Sequence, residues 1–179
     1  ATESLNLVAQ SWGRKNLREG DTVVLTELEH HANIVPWHML REAIGIELRW
    51  IPITDEGKLD LSDLDRLLDG ASLVCVSAMS NVLGTLNPVA EIAAKAHAAG
   101  ALVLADASQY VPHVPTDVQT LGADFVAFTA HKMCAPTGIG VLWAREELLE
   151  EMPPFLGGGE MILQVTKEGF TTNTLPWKF

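Results

Sequence analysis

The chemistry in this chain is best sought at one lysine. The stretch Asp124-Phe125-Val126-Ala127-Phe128-Thr129-Ala130-His131-Lys132 is apolar at its centre and turns polar at its end. The apolar run reads as a buried strand, which places Lys132 just past the strand's C-terminal end, the edge where open α/β sheets bind ligands. Pro136-Thr137-Gly138-Ile139-Gly140 then turns the chain into another apolar strand, Val141-Leu142-Trp143. A lysine held between two strands is expected to be desolvated. An amine in that setting loses its proton more readily and becomes a nucleophile able to form a Schiff base. A lysine at a loop start is ordinarily a solvated surface residue, so the company that Lys132 keeps decides its reading.

The same strand-end rule collects a set of polar residues. Glu29-His30-His31 follows the first expected strand, Asn81 the third, and Asp106 the fourth, with Gln109 three residues later. Thr129, His131 and Lys132 follow the fifth, and Thr2 stands at the start of the first helix. One rim of the sheet therefore offers a carboxylate, imidazoles, amides, hydroxyls and an amine. A pyridoxal phosphate site needs a lysine for the cofactor aldehyde, an acid for its ring nitrogen, a flat group against its ring and donors for its phosphate. Lys132, Asp106, His30 and Thr2 are expected to fill those four roles.

The elements that must position them follow from periodicity. Leu5, Leu7, Val8 and Trp12 repeat at helical spacing within 3–17, with Thr2 where an N-cap belongs. A strand is expected over 21–26, then a helix capped by Asn33 and running to Ile44, with Gly45 as its stop. A strand over 48–53 and a short helix from Ser62 to Gly70 come next. Then follow a strand over 73–77, a helix over 88–99 closed by Gly100, and a strand over 102–105. A short helix over 116–121, strands over 125–128 and 141–143, and a helical turn over 146–150 complete the series. Met152 to Glu160, with Pro153-Pro154 and Gly157-Gly158-Gly159, reads as a surface loop. Strands alternating with helices predict an α/β fold: a mostly parallel sheet with helices on both faces.

Composition bounds the function from outside. The chain has 179 residues, 47% of them hydrophobic, and a formal net charge of −11. That length supports one core, and the acidity argues against nucleic acid or an anionic membrane as a partner. No apolar run is long enough to span a bilayer. Two cysteines, Cys75 and Cys134, make no disulfide framework and point to a reducing, cytoplasmic setting. Both are expected to be packing residues. His30, His31 and His38 lack metal-ligand spacing, so no metal site is expected, and His97 and His113 read as surface or loop histidines. No glycine-rich phosphate loop follows the first strand, which disfavours a nucleotide-binding domain. The two ends, Ala1-Thr2-Glu3-Ser4 and Leu175-Pro176-Trp177-Lys178-Phe179, read as cut from a longer chain.

Taken in order, the motifs resemble those of class V aminotransferase-family enzymes, and among them cysteine desulfurases and selenocysteine lyases of the SufS type. The resemblance is carried by Glu29-His30-His31-Ala32-Asn33-Ile34-Val35-Pro36-Trp37, Ser80-Asn81-Val82-Leu83-Gly84-Thr85, Asp106-Ala107-Ser108-Gln109, and His131-Lys132 with Pro136-Thr137-Gly138-Ile139-Gly140. Ala1-Thr2-Glu3 is similar to the family's phosphate loop, and Gly157-Gly158-Gly159 with Met161-Ile162 to its later glycine-rich loop. The resemblance implies the large domain of a fold-type I pyridoxal 5'-phosphate enzyme. It implies Lys132 as the lysine joined to the cofactor and as base, Asp106 as partner of the ring nitrogen, and His30 as the stacking and proton-moving group. Gln109 and Asn81 would bond the phenolic oxygen and the substrate carboxylate, and Thr2, Thr129 and His131 the phosphate.

The implied reaction is conversion of L-cysteine, or selenocysteine, to L-alanine, with sulfur passed to an acceptor protein for iron–sulfur cluster assembly. The implied state is a homodimer. Two small departures stand at the lysine motif: Thr129 where the family usually has serine, and Ala130 where it usually has glycine, a change that matters only if the backbone there needs positive φ. A larger one is that the family's sulfur-accepting cysteine, its carboxylate-gripping arginine and its small domain lie further along than residue 179. Residues 1–179 are thus expected to be part of a cofactor-binding large domain, inactive alone. The alternatives are another class V enzyme, such as a selenocysteine lyase or an epimerase-like protein, and a non-catalytic cofactor-binding module.

Overall fold

The computed structural model describes residues 1–179. Its centre is a six-stranded sheet in the order β2-β1-β3-β4-β5-β6. The strands are β1 (Thr22–Thr26), β2 (Glu47–Ile51), β3 (Ala71–Ser77), β4 (Leu102–Asp106), β5 (Phe125–Thr129) and β6 (Gly140–Ala144). Neighbours from β2 through β5 pair parallel, and only β6 runs antiparallel, against β5. The expected mostly parallel α/β architecture is what forms.

Burial explains why these segments are strands. Both faces of the sheet are covered, so the strands read as near-continuous apolar runs in place of alternating ones. The period of two still sorts their side chains. Val24, Val74, Val76, Val103, Ala105 and Val126 face one core, shared with α4 (Leu64–Leu68), α5 (Val89–Ala98) and α6 (Val118–Leu121). Val23, Leu25, Leu73, Cys75, Leu104, Phe125 and Ala127 face the other. That second core is closed by α1 (Thr2–Leu7), a π-helical turn (Val8–Gly13), α2 (Arg14–Asn16), α3 (Val35–Ile44) and α7 (Glu146–Glu151). Each fully buried side chain such as Leu40 or Phe125 contributes about 1.5–3 kcal/mol. Trp12 meets Phe125 edge to face at 5.9 Å, locking the first helix to the sheet.

Two glycines serve this packing. A Cβ on Gly13 would sit 2.8 Å from Leu40 Cδ1, so the missing side chain lets α3 approach the first helix. Gly45 ends α3 with φ 80°, its N–H donating to the Arg41 carbonyl, a left-handed cap that other residues adopt at a cost.

Some boundaries differ from the sequence reading. Thr2 is the first helical residue and Ala1 holds the cap position. Asn33 does not cap α3; it closes a 3-10 turn (His31–Asn33), is buried, and points its amide at Glu29. The helix expected from Ser62 begins at Leu64. A two-stranded pair, β7 (Ile162–Val165) with β8 (Phe170–Thr172), follows the glycine-rich loop and was not expected. Its residues are mostly exposed, so the strands lack the apolar run that marks the others.

Candidate active site

The strand order places the site. From β1 the chain passes to β2 on one side and then returns across β1 to β3 on the other, and such a reversal opens a crevice beyond the carboxyl ends of the strands. Register then lines the polar residues up: Ser77 pairs beside Asp106, and Asp106 beside Ala127, two residues before Thr129. Ser77, Asp106 and Thr129 also share the parity of Cys75, Leu104 and Ala127, so they belong to the sheet face covered by the first helix. This explains how Thr2, remote in sequence, joins them.

A solvent-open cleft of about 160 Å³ lies at this rim. All eight residues expected to hold the cofactor line it: Thr2, His30, Asn81, Asp106, Gln109, Thr129, His131 and Lys132. Lys132 and Asp106 thus line the same cleft. The sequence reading gave no site role to Ala1, Ala32, Ser77, Met79 and Ser108, which also line the cleft. Ser77 ends β3 and Ser108 lies two residues past β4, so the strand-end rule, applied to small hydroxyls, reaches both.

The side chains are held from behind and free in front. Asp106 is buried, and its Oδ1 accepts from the Ser108 N–H at 3.0 Å, which leaves Oδ2 for a ligand. Ser108 Oγ is itself buried without a partner, a hydroxyl wanting one at the cleft wall. The His30 ring accepts the Ala32 N–H at Nδ1, 3.1 Å away, so a neutral ring carries its proton on Nε2. Thr129 Oγ1 donates to the Ile139 carbonyl at 3.3 Å and lies 3.0 Å from His131 Nδ1. With its one proton so used, it accepts from Nδ1–H. Gln109 is tied through its carbonyl, which accepts from His113 Nδ1 at 2.6 Å.

Lys132 sits on a 3-10 turn (Ala130–Met133) between β5 and β6. It is half-buried, so the strong desolvation expected of it is absent from the structure. Ala130 opens that turn without positive φ, so its departure from glycine strains nothing. The left-handed residue there is Cys134, at φ 61°. Cys134 is exposed, against the expectation that it packs, while Cys75 is buried and burial drives its thiol well up. His97 is a surface residue, as expected, and lies on α5 with Nε2 2.9 Å from Oδ2 of the buried Asp124. His113 is exposed.

One charged group at the rim was read only as part of the His30 stretch. Glu29 is buried and accepts from Thr26 Oγ1 at 2.6 Å, Ser77 N–H at 2.6 Å, Asn33 Nδ2 at 2.7 Å and Ser77 Oγ at 2.8 Å. It has no basic partner. Burial pushes its carboxyl up to about 7, although each of those donors pulls the other way. No group of three or more histidine, cysteine or acidic side chains is arranged to hold a metal ion.

This donor set fits pyridoxal phosphate. It offers an amine, an acid with a free oxygen, a planar ring, and hydroxyl and imidazole donors, all lining one cleft. Comparison with known proteins points the same way. A protein of Streptomyces coelicolor named probable cysteine desulfurase is 54% identical over 184 residues, covering 100% of this chain and 44% of that protein. The cysteine desulfurase of Dickeya dadantii is 54% identical over 180 residues, covering 99% of this chain and 44% of the relative. The crystal structure of the cysteine desulfurase CsdA from Escherichia coli superposes with a TM-score of 0.96 at 42% identity, over 99% of this chain and 45% of that one. The cysteine desulfurase of Thermococcus onnurineus gives 0.94 at 42% identity, over 99% and 44%. The chain spans less than half the length of the curated relatives it matches. The sequence profile of the aminotransferase class-V family matches residues 1–179, so the chain belongs to that family.

Proposed function

We propose that these residues form the cofactor-holding part of a cysteine desulfurase, a pyridoxal phosphate enzyme that converts L-cysteine to L-alanine and passes the sulfur to a thiol. One observation carries the reading: Lys132, Asp106 and His30, remote from one another in sequence, line a single cleft. When bound, pyridoxal phosphate supplies an electron sink for bond breaking next to the substrate's α-carbon. Asp106, through its free oxygen, holds a proton at the ring nitrogen and so keeps that sink strong. Lys132 Nζ would be the amine that holds the cofactor aldehyde and, once freed, the base placed for the substrate's α-proton. His30 would be the planar group beside the ring, with Nε2 the nitrogen left to exchange protons, since Nδ1 is engaged. Thr2, Thr129 and His131 hold the phosphate, and Gln109 and Asn81 bond the phenolic oxygen and the substrate carboxylate.

Neither cysteine suits the role of sulfur acceptor. Cys75 is enclosed by the sheet, and Cys134 does not line the cleft. On this reading the accepting thiol and the substrate-gripping arginine would come from other residues of the full-length protein. A homodimer, an acceptor protein for the sulfur, and a reducing cytoplasmic setting, consistent with two free cysteines, belong to the same reading. The test is turnover. Loaded with pyridoxal phosphate, the full-length gene product releases alanine from L-cysteine in step with sulfide under reductant, and residues 1–179 alone bind the cofactor without turnover. Cofactor binding in the full-length protein with no alanine from L-cysteine or L-selenocysteine would overturn the assignment.

A further inference from the structure

We infer that Glu29 is a positioning residue of this cleft, fastening the His30 turn and the end of β3 to each other from inside the fold. The inference rests on the cofactor reading above.

The four donors to Glu29 come from three segments. Thr26 ends β1, Asn33 ends the 3-10 turn, and Ser77 ends β3 and gives both its N–H and its hydroxyl. Each of these segments bears on the cleft. The turn that Asn33 closes is the one His30 opens: Asn33 N–H donates to the His30 carbonyl at 2.8 Å, and Ala32 N–H holds the His30 ring. Ser77 lines the cleft itself, and Asn87 Nδ2 grips its carbonyl from the other side at 2.7 Å. Glu29 thus joins the support of the ring-facing imidazole to the wall beside Asp106, and does not line the cleft. An uncompensated buried carboxylate is an expensive device for packing alone. Four donors converging on two oxygens fix orientation in a way that an apolar side chain could not.

The geometry also says which substitution should be tolerated. Asn33 Oδ1 is buried without a partner. A glutamine at 29 keeps the oxygen facing Thr26 and the Ser77 N–H, and its amide can donate to Asn33 Oδ1 once the Asn33 amide turns over. The Ser77 hydroxyl can rotate to accept as well. Glu29→Gln therefore preserves the clasp, and Glu29→Ala opens it, leaving the Ser77 N–H and the Asn33 amide unsatisfied.

The experiment measures the dissociation constant of pyridoxal phosphate by absorbance titration in the full-length gene product, with apo-protein unfolding temperature read in parallel. Glu29→Ala should weaken binding roughly tenfold or more, the scale of one unsatisfied buried group, and Glu29→Gln by less than about threefold. Asn33→Ala, which removes the link to the His30 turn without touching the cleft, should weaken binding in the same direction and replaces Glu29→Ala if that variant does not fold. In a His30→Ala background the second substitution should cost markedly less, because its effect runs through His30. Equal affinity in all single variants, or full additivity with His30→Ala, would overturn the inference while leaving the cofactor reading intact. Failure of the unmodified protein to bind pyridoxal phosphate would instead remove the cofactor reading.

Discussion

Asp124 holds the end of the sheet away from the cleft, and its removal should separate stability from function. Its carboxylate is 1% exposed and serves three donors. Oδ2 accepts from the Val103 N–H at 2.7 Å and lies 2.9 Å from His97 Nε2, and Oδ1 lies 3.1 Å from Arg145 Nη1. The residue thereby joins the start of β5 to β4, to α5 and to the end of β6. In Asp124→Ala the Val103 N–H loses its side-chain partner inside the fold, which costs about 1–3 kcal/mol. His97 and Arg145 are 41% and 43% exposed, so water screens both pairs and each adds at most about 1 kcal/mol. The sum is about 1–5 kcal/mol, or a fall of roughly 2–20 °C in unfolding temperature for a domain of this size. The cleft lies past Thr129 at the other end of β5, five residues or roughly 16 Å away. Affinity for pyridoxal phosphate should therefore stay within about twofold of the unmodified protein. Thermal unfolding followed by circular dichroism, with a cofactor titration on the same samples, makes the check. An unchanged unfolding temperature would refute the assigned role of Asp124. A large loss of affinity without loss of stability would refute the separation of the two ends of the sheet.

Further outcomes follow from the same geometry. Glu29 has its carboxyl raised from 4.5 to about 7 by burial. Between those values the unfolded chain has released the proton that the folded chain still holds. Its contribution is thus full below about pH 4.5 and is lost as pH rises through about 7, a fall of up to about 3 kcal/mol. Urea unfolding from pH 5 to 8 should show that slope, and Glu29→Gln should flatten it; identical slopes would contradict the assignment. Cys134 holds φ 61° at the end of the lysine turn, and Cys134→Gly should relieve that strain and raise stability by about 0.5–1 kcal/mol. A loss of stability in the same urea assay would show that the thiol makes contacts worth more than the strain.

Much of this was legible in the residues, and the physical reason is the strand-end rule. Parallel strands buried on both faces leave polar residues only where they emerge, so Asp106, Asn81 and the Thr129-to-Lys132 segment announced themselves by following apolar runs. Thr2 was legible through its resemblance to a phosphate loop, while its convergence with Asp106 depends on parity across β3, β4 and β5, which no single segment displays. Capping was misread at Asn33 because a side chain that usually satisfies its own helix was recruited by Glu29, a contact fixed by tertiary packing. The state of Lys132 was misjudged for a related reason: flanking strands do not bury a residue when the connection between them opens into a cleft. Glu29 was hidden by its neighbours, since the adjacent histidines drew the chemical reading while its four donors come from positions as far off as Ser77.

The measurement that tests the central claim most directly is reductive trapping. Borohydride added to the protein mixed with pyridoxal phosphate should fix one cofactor-sized mass on the peptide carrying Lys132, and Lys132→Ala should carry none. The same mass on a different lysine, or a labelled Lys132→Ala protein, would mean that the amine lining this cleft with Asp106 is not the one that meets the aldehyde.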